Sequence, residues 1–323
     1  MVAALMRGCD AVTLSMTDLL ELRESGLYCP AGDFYIDPWG AVERAVITHA
    51  HADRAVPGSR AYLGAAPGEA LLREQVGAIQ AVRYGERIAM GGLTVSLHPA
   101  GHILGSAQVR IERAGEVWVV SGDFKLAPDP TCAPFEPLRC HTFVTEAAFA
   151  LPIFRWREPS DASAAIRDWW RANDEAGKKS VLYAHPLGLA QRLVAQLGPV
   201  ALQDEIERWC AVYRASGVDL PQPAPDATLT IASPGWKPAT GRVSTAMVSG
   251  WMRIRGTRRR RSLDRGFVIS DHADWPGLLR VIDETGAGSV WVASGHRGPL
   301  VRWLAEHGRQ AREVETRWEE AES

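Results

Sequence analysis

The stretch Ile47-Thr48-His49-Ala50-His51-Ala52-Asp53-Arg54 sets two histidines and a carboxylate at alternate positions directly after an apolar run, Ala45 to Ile47. A strand that ends in a loop can turn alternate side chains toward one point. His49 and His51 can therefore offer imidazole nitrogens to a single ion, with Asp53 reaching beside them. The bland alternative is a polar turn at a strand end. A lone histidine would favour that turn, whereas three ligand-type residues in alternation favour a metal.

Two further segments have the same form. Leu93-Thr94-Val95-Ser96-Leu97-His98-Pro99-Ala100-Gly101-His102 and Val117-Trp118-Val119-Val120-Ser121-Gly122-Asp123 are apolar or alternating runs that end in glycine and a ligand. Both predict strands that deliver a side chain from their ends.

The order HxHxD, GH, SGD resembles the metallo-β-lactamase fold. The resemblance implies that His49, His51 and His102 hold one metal, with Asp123 bridging toward a second. Thr145-Glu146-Ala147 and Ile269-Ser270-Asp271-His272-Ala273-Asp274-Trp275 look like two motifs of the β-CASP nucleases of that superfamily. The segments Gly26 to Asp37, Leu187-Gly188-Leu189-Ala190-Gln191-Arg192, Ser270 to Leu279 and Pro299-Leu300-Val301-Arg302-Trp303-Leu304 look like the bacterial ligase-associated DNA damage response exonucleases, over Gly26 to Leu304. The implied fold is α/β: a metallo-β-lactamase αββα sandwich of residues 1–150 and 262–323, with a smaller parallel α/β (β-CASP) domain of residues 151–261 inserted to clamp nucleic acid. A neighbouring ligase and helicase are partners implied by the resemblance alone.

The sequence departs from that pattern twice. The first motif would continue with histidine where Arg54 stands. The closing motif has Ser294, in Ala293-Ser294-Gly295-His296, where a final histidine belongs. Both missing groups would serve a second metal. Arginine keeps its charge near neutral pH, repels a second dication and can pair with Asp53 or Asp123. One divalent ion, zinc or manganese, is the simplest expectation, and His296 could complete a second site only through a shift of its loop.

Composition bounds the rest. With 323 residues, 46% of them hydrophobic, the chain can bury a large core and predicts one large domain with an insertion, or two domains. A formal net charge of -2 argues against a globally basic DNA-coating protein. Five cysteines, Cys9, Cys29, Cys132, Cys140 and Cys210, lack CxxC spacing, which fits a reducing cytoplasm rather than a disulfide framework. No stretch approaches the ~20 apolar residues that span a bilayer. Residues before Met16 suggest a disordered or mis-assigned start.

From Gly26 to Glu146, short runs separated by Gly, Pro and Asp predict strands, with a helix over Pro67 to Gly77. After Pro159 the pattern changes. Ser160 and Asp161 can cap a helix through Ala176, Lys179 to Ala184 predicts a strand, Leu189 to Leu197 and Asp204 to Ala215 predict helices, and Leu229 to Ala232 predicts a strand. This alternation implies a smaller parallel layer, and the chain should rejoin the first unit from Gly266. The run Arg253, Arg255, Arg258, Arg259, Arg260, Arg261 and Arg265 is a solvated loop by default. At the junction between units it favours phosphate contacts.

A metal held by neutral imidazoles and a carboxylate lowers the pKa of bound water and polarises a phosphoryl oxygen, which suits phosphodiester hydrolysis. By resemblance His49, His51, His102 and Asp123 surround the ion, while Asp53 orients water or touches a second ion. His272, steadied by Glu146 or by the competing Asp271, would protonate the leaving oxygen. The turn before Gly188, together with Arg192, would receive a phosphate. The function expected is a metal-dependent DNA exonuclease in repair; an RNA-processing nuclease and a degenerate nucleic-acid-binding protein remain open. His98, His141 and His307 are expected in core or surface roles. Trp251 or Trp275 can stack on a base.

Overall fold

A computed structural model describes residues 18–156, 159–238, 241–254 and 256–318. Arg255, the side chain of Ser160 as a helix cap, and the start of the chain with Cys9 lie outside the described residues. The fold is mixed α/β with three sheets. The first holds β1 (Glu21–Arg23), β2 (Gly26–Cys29), β3 (Phe34–Ile36), β4 (Arg44–Val46), β5 (Ala61–Ala65) and β6 (Gln80–Val82) in that order. It begins as an antiparallel meander and turns parallel from β3 onward. Helix α1 (Glu69–Val76) follows a 3-10 turn over Ala66–Gly68, close to the expected Pro67 to Gly77.

The second sheet starts with β7 (Ile88–Met90), β8 (Leu93–Pro99), β9 (Ala107–Arg113) and β10 (Glu116–Val120), all antiparallel, and continues in parallel through β11 (Thr142–Thr145). The chain then leaves for a third sheet. Helix α2 (Pro159–Glu175), β12 (Lys179–Tyr183), α3 (Leu189–Leu197), β13 (Ala201–Leu202), α4 (Asp204–Ala215), β14 (Leu229–Ala232), β15 (Val243–Val248), α5 (Thr257–Arg260) and β16 (Arg265–Phe267) follow. All strands of this sheet are parallel, in the order β13-β14-β12-β15-β16. Helix α6 (Trp275–Thr285), β17 (Ser289–Val292), α7 (Arg297–Glu306) and β18 (Gln310–Glu313) then complete the second sheet beside β11.

The expected boundary at residue 262 is corrected by β16. Gly266 pairs with Met247, so the chain is still in the third sheet where it was expected to have left it. The return comes after Phe267.

Packing explains the layers. Leu27, Phe34, Ile36 and Val46 of the first sheet share one core with Val95, Val109, Ile111, Trp118 and Trp291 of the second. The opposite face of the second sheet, through Phe143, Val290 and Val292, buries Leu278, Val281 and Ile282 of α6 and Leu300 and Leu304 of α7. β11, covered on both faces, has all four residues buried, with the apolar Phe143 and Val144 between two threonines. The third sheet shares a core with α1, α3 and α4, which joins Leu182, Ile231 and Ala246 to Leu71 and Leu72. Among the described residues no helix is long and apolar enough to cross a membrane.

Candidate metal centre

The site lies where several strands stop. The carboxyl ends of β4, β8, β10 and β11 release the loops that carry His49 and His51, His102, Asp123, and Glu146, and the segment after β16 brings His272. Two of these loops are tied together by the amide of Ala107, which donates to Thr48 O at 2.7 Å. Gly122 has φ +58°, and a Cβ there would meet the Thr48 side chain at 2.8 Å. Only glycine lets the Asp123 loop close this tightly on the histidine loop.

Four ligand atoms converge. His49 Nε2 lies 3.2 Å from His51 Nδ1, His51 Nδ1 lies 3.3 Å from His102 Nε2, and His49 Nε2 lies 3.4 Å from Asp123 Oδ2. Tetrahedral ligands about 2.0–2.1 Å from an ion stand about 3.3–3.4 Å from one another, so the spacing fits one small divalent cation.

Hydrogen bonds on the far side of each ring decide which nitrogens carry protons. His51 Nε2 donates to Leu187 O at 3.0 Å, and His102 Nδ1 donates to Asp271 O at 2.7 Å. Thr48 Oγ1 stands 2.5 Å from Asp37 Oδ2 and 3.0 Å from His49 Nδ1. With Asp37 ionised, the hydroxyl donates to the carboxylate and accepts the His49 Nδ1–H. All three rings then turn lone pairs toward one point, an arrangement that repels itself without a cation.

Burial keeps these rings neutral. It lowers the pKa of His49 and His51 well below the usual histidine value and that of His102 to about 3, where the neighbouring His272 adds to the effect. Burial pushes Asp123 the other way, but Arg54 and the imidazoles outweigh it and hold the carboxylate well below its usual range. Burial also raises Asp37 to about 7, against the pull of Arg54 and Thr48. Buried His and Asp groups able to hold a metal ion are thus present.

Arg54, 2% exposed, donates from Nη2 to Asp123 Oδ1 at 2.7 Å and sits 3.3 Å from Asp53 Oδ2. Its guanidinium lies over the Trp318 ring at 4.3 Å, and Trp318 Nε1 donates to Asp37 O at 2.8 Å. Arg54, Asp123, Glu146, Ser294 and Trp318 line one small cavity behind the histidines. Beside it, His272 Nδ1 lies 2.7 Å from Glu146 Oε2, and Glu146 Oε1 accepts the Phe124 amide at 2.8 Å. Asp123, Glu146 and His272 form a second cluster of ligand-type atoms that shares Asp123 with the first.

Several expectations are corrected by this geometry. Asp53 is absent from both clusters among the described residues, because its carboxylate faces Arg54. His296 Nδ1 pairs with Ala148 O at 2.9 Å, among Phe154 and Trp251, and turns away from the centre. Asp271 serves Lys125 at 3.0 Å and Arg192 at 3.4 Å rather than His272. Arg192, 1% exposed, is locked to Asp271 and Ser270 O, where no phosphate reaches it. The Gly188 amide is taken by Gln191 Oε1 at 2.7 Å, so that turn offers no open anion cradle at this position. Trp275, the first residue of α6, is buried in the core rather than free to stack.

Arg253, Arg258, Arg259 and Arg260 are exposed. Their partners include the backbone oxygens of Ile153 and Asp264 and the Thr257 hydroxyl. His98 bonds Ser96 and Glu136 away from the site, His141 is exposed, and His307 stacks on Trp303. Sequence alone passed over a role for Asp37 and Trp318; it placed His185 before the Pro186-Leu187-Gly188 turn, and the ring lies 4.7 Å from that of His51. His185 had a signal: it follows β12 as the ligands follow their strands.

No family model matches the chain. Among curated proteins it is similar to one from Opitutus terrae named "Probable DNA ligase", 27% identical over an alignment of 313 residues that covers 88% of this chain. The chain spans 30% of the length of that relative. Membership of the metallo-β-lactamase or β-CASP nucleases, expected from the motifs, is therefore corrected: no family model supports it, and the similar protein carries the name of a ligase.

Proposed function

We propose that the chain is a metal-dependent phosphodiesterase acting on DNA. The observation that carries this reading is the convergence of three neutral imidazoles and one carboxylate at tetrahedral spacing, next to a histidine oriented by a carboxylate. A DNA substrate is supported by the name of the similar protein and by the exposed arginines of α5. The finer architecture is a four-layer α/β/β/α stack with an inserted parallel α/β unit. Zinc or manganese suits the donor set.

His49, His51, His102 and Asp123 would hold a divalent ion, which would supply Lewis acidity and lower the pKa of a water at the site. His272 holds a proton at Nε2 for the leaving oxygen, and Glu146 fixes the ring by binding Nδ1–H. Arg54 keeps one oxygen of Asp123 and adds a fixed positive charge where Asp123, Glu146 and His272 would gather a second cation. One ion per chain follows.

The ligase name raises end joining as a second reading. A nucleophilic lysine needs a lowered pKa. Burial opposes the charge on Lys125, yet Asp271 and Asp129 more than offset it and raise the pKa, so this ammonium is a structural cation. Hydrolysis is the better fit.

The test combines metal analysis with a DNA digestion assay. His272→Ala should keep the metal and lose about 10²–10⁴-fold in rate. Retention of the full rate would remove His272 from the mechanism, and nick sealing without hydrolysis would favour the second reading.

A further inference from the structure

A groove of about 370 Å³ opens beside His272, lined by Leu126, Pro128, Trp156, Asp274, Pro276 and Arg280 among others. We infer that it seats the terminal nucleotide of a DNA strand, with the base against the Trp156 indole and the phosphate toward Arg280. The inference rests on the phosphodiesterase reading and deepens it. It places the end of the strand on one side of His272, so that the adjacent phosphodiester meets the metal centre on the other, where the His102 ring lies 4.8 Å from that of His272.

The lining suits a nucleobase more than a flexible chain. An indole, two prolines and a leucine make its apolar wall, and His272, Asp274 and Arg280 make the polar one. Trp156 is held at both ends, its amide by Asp274 Oδ2 at 2.9 Å and its Nε1 by His272 O at 2.9 Å. A rigid indole anchored to the backbone of the reacting histidine is a ready stacking platform, and stacking tolerates any base.

Charge places the phosphate. Asp274 spends its oxygens on the Trp156 amide and, at 2.9 Å, on the Gly277 amide as the cap of α6. Arg280 is exposed on the rim, six residues further along that helix, about 9 Å along its axis. A phosphate at Arg280 therefore stands clear of the carboxylate, and the present partner, Glu284 at 3.6 Å, is an exposed ion pair that yields readily.

The test measures binding of the full chain, in chelator to stop cleavage, to single-stranded oligonucleotides with all bases or with the base missing from one terminal nucleotide, 5′ or 3′. One abasic end should bind about 5- to 150-fold more weakly than the intact strand. Trp156→Ala should bind intact and abasic strands alike, and Trp156→Phe should keep the preference. Arg280→Gln should weaken both and lower the salt slope by about one unit. Equal binding of intact and abasic ends by a protein that still cleaves DNA would overturn the groove alone. A protein that neither binds nor cuts DNA would overturn the phosphodiesterase reading and the groove with it.

Discussion

Asp37 is not a ligand, yet it sets the protonation of one. Its carboxylate orients Thr48, and Thr48 decides which nitrogen of His49 carries the proton. Since Asp37 titrates at about 7 while His102 titrates near 3, metal affinity is expected to rise as pH climbs through about 7, where Asp37 loses its proton and the His49 lone pair faces the ion. Asp37→Asn, which can donate to Thr48 and reverse the chain, should weaken binding and remove that inflection in a competition titration. His51→Ala should abolish binding in elemental analysis, because His51 Nδ1 is the atom that both other imidazoles approach. Arg54→Gln leaves Asp123 buried and short of its strongest partner. The cost should approach about 3–5 kcal/mol in the metal-free protein and be smaller with metal bound, read from denaturant unfolding with and without zinc.

Elements carry these residues, and here the sequence was most legible. Helices over Leu189–Leu197 and Asp204–Ala215 and the strand Leu229–Ala232 form where apolar periodicity and turn residues put them. Local pattern sufficed because each buries one face against its neighbours. The cluster of ligand-type residues was legible for the same reason: His49, His51, His102 and Asp123 follow strands directly. Pairings across the chain were not. Nothing in the local pattern tells that Arg192 faces Asp271, that β16 adds to β15, or that His296 turns toward Ala148. Family resemblance filled such gaps and erred at Asp53, whose carboxylate faces Arg54. The same glycine that made the SGD segment recognisable also offers a test. Gly122→Ala drives a Cβ into Thr48 in a left-handed conformation, so metal affinity should fall even though no ligand is touched, as isothermal titration would show.

Across the whole molecule the charge is nearly balanced, yet α5 concentrates arginine on a short helix next to the third sheet. Replacing Arg258, Arg259 and Arg260 with alanine should flatten the salt dependence of DNA binding by about one unit of slope for each phosphate left unneutralised, with the melting temperature little changed. An unaltered slope would leave the run as a solvated turn.

Trp318 lies under Arg54 and bonds Asp37, a residue 281 positions earlier. During synthesis the histidine loop emerges long before the indole that holds its arginine in place. The nascent chain can therefore assemble the three imidazoles while Arg54 is still unanchored, and metal captured at that stage would be locked in only when β18 and the segment with Trp318 fold home. Trp318→Ala is expected to release metal faster from the folded protein in a stopped-flow chelation measurement, making this segment a determinant of how long the ion stays rather than of whether it binds.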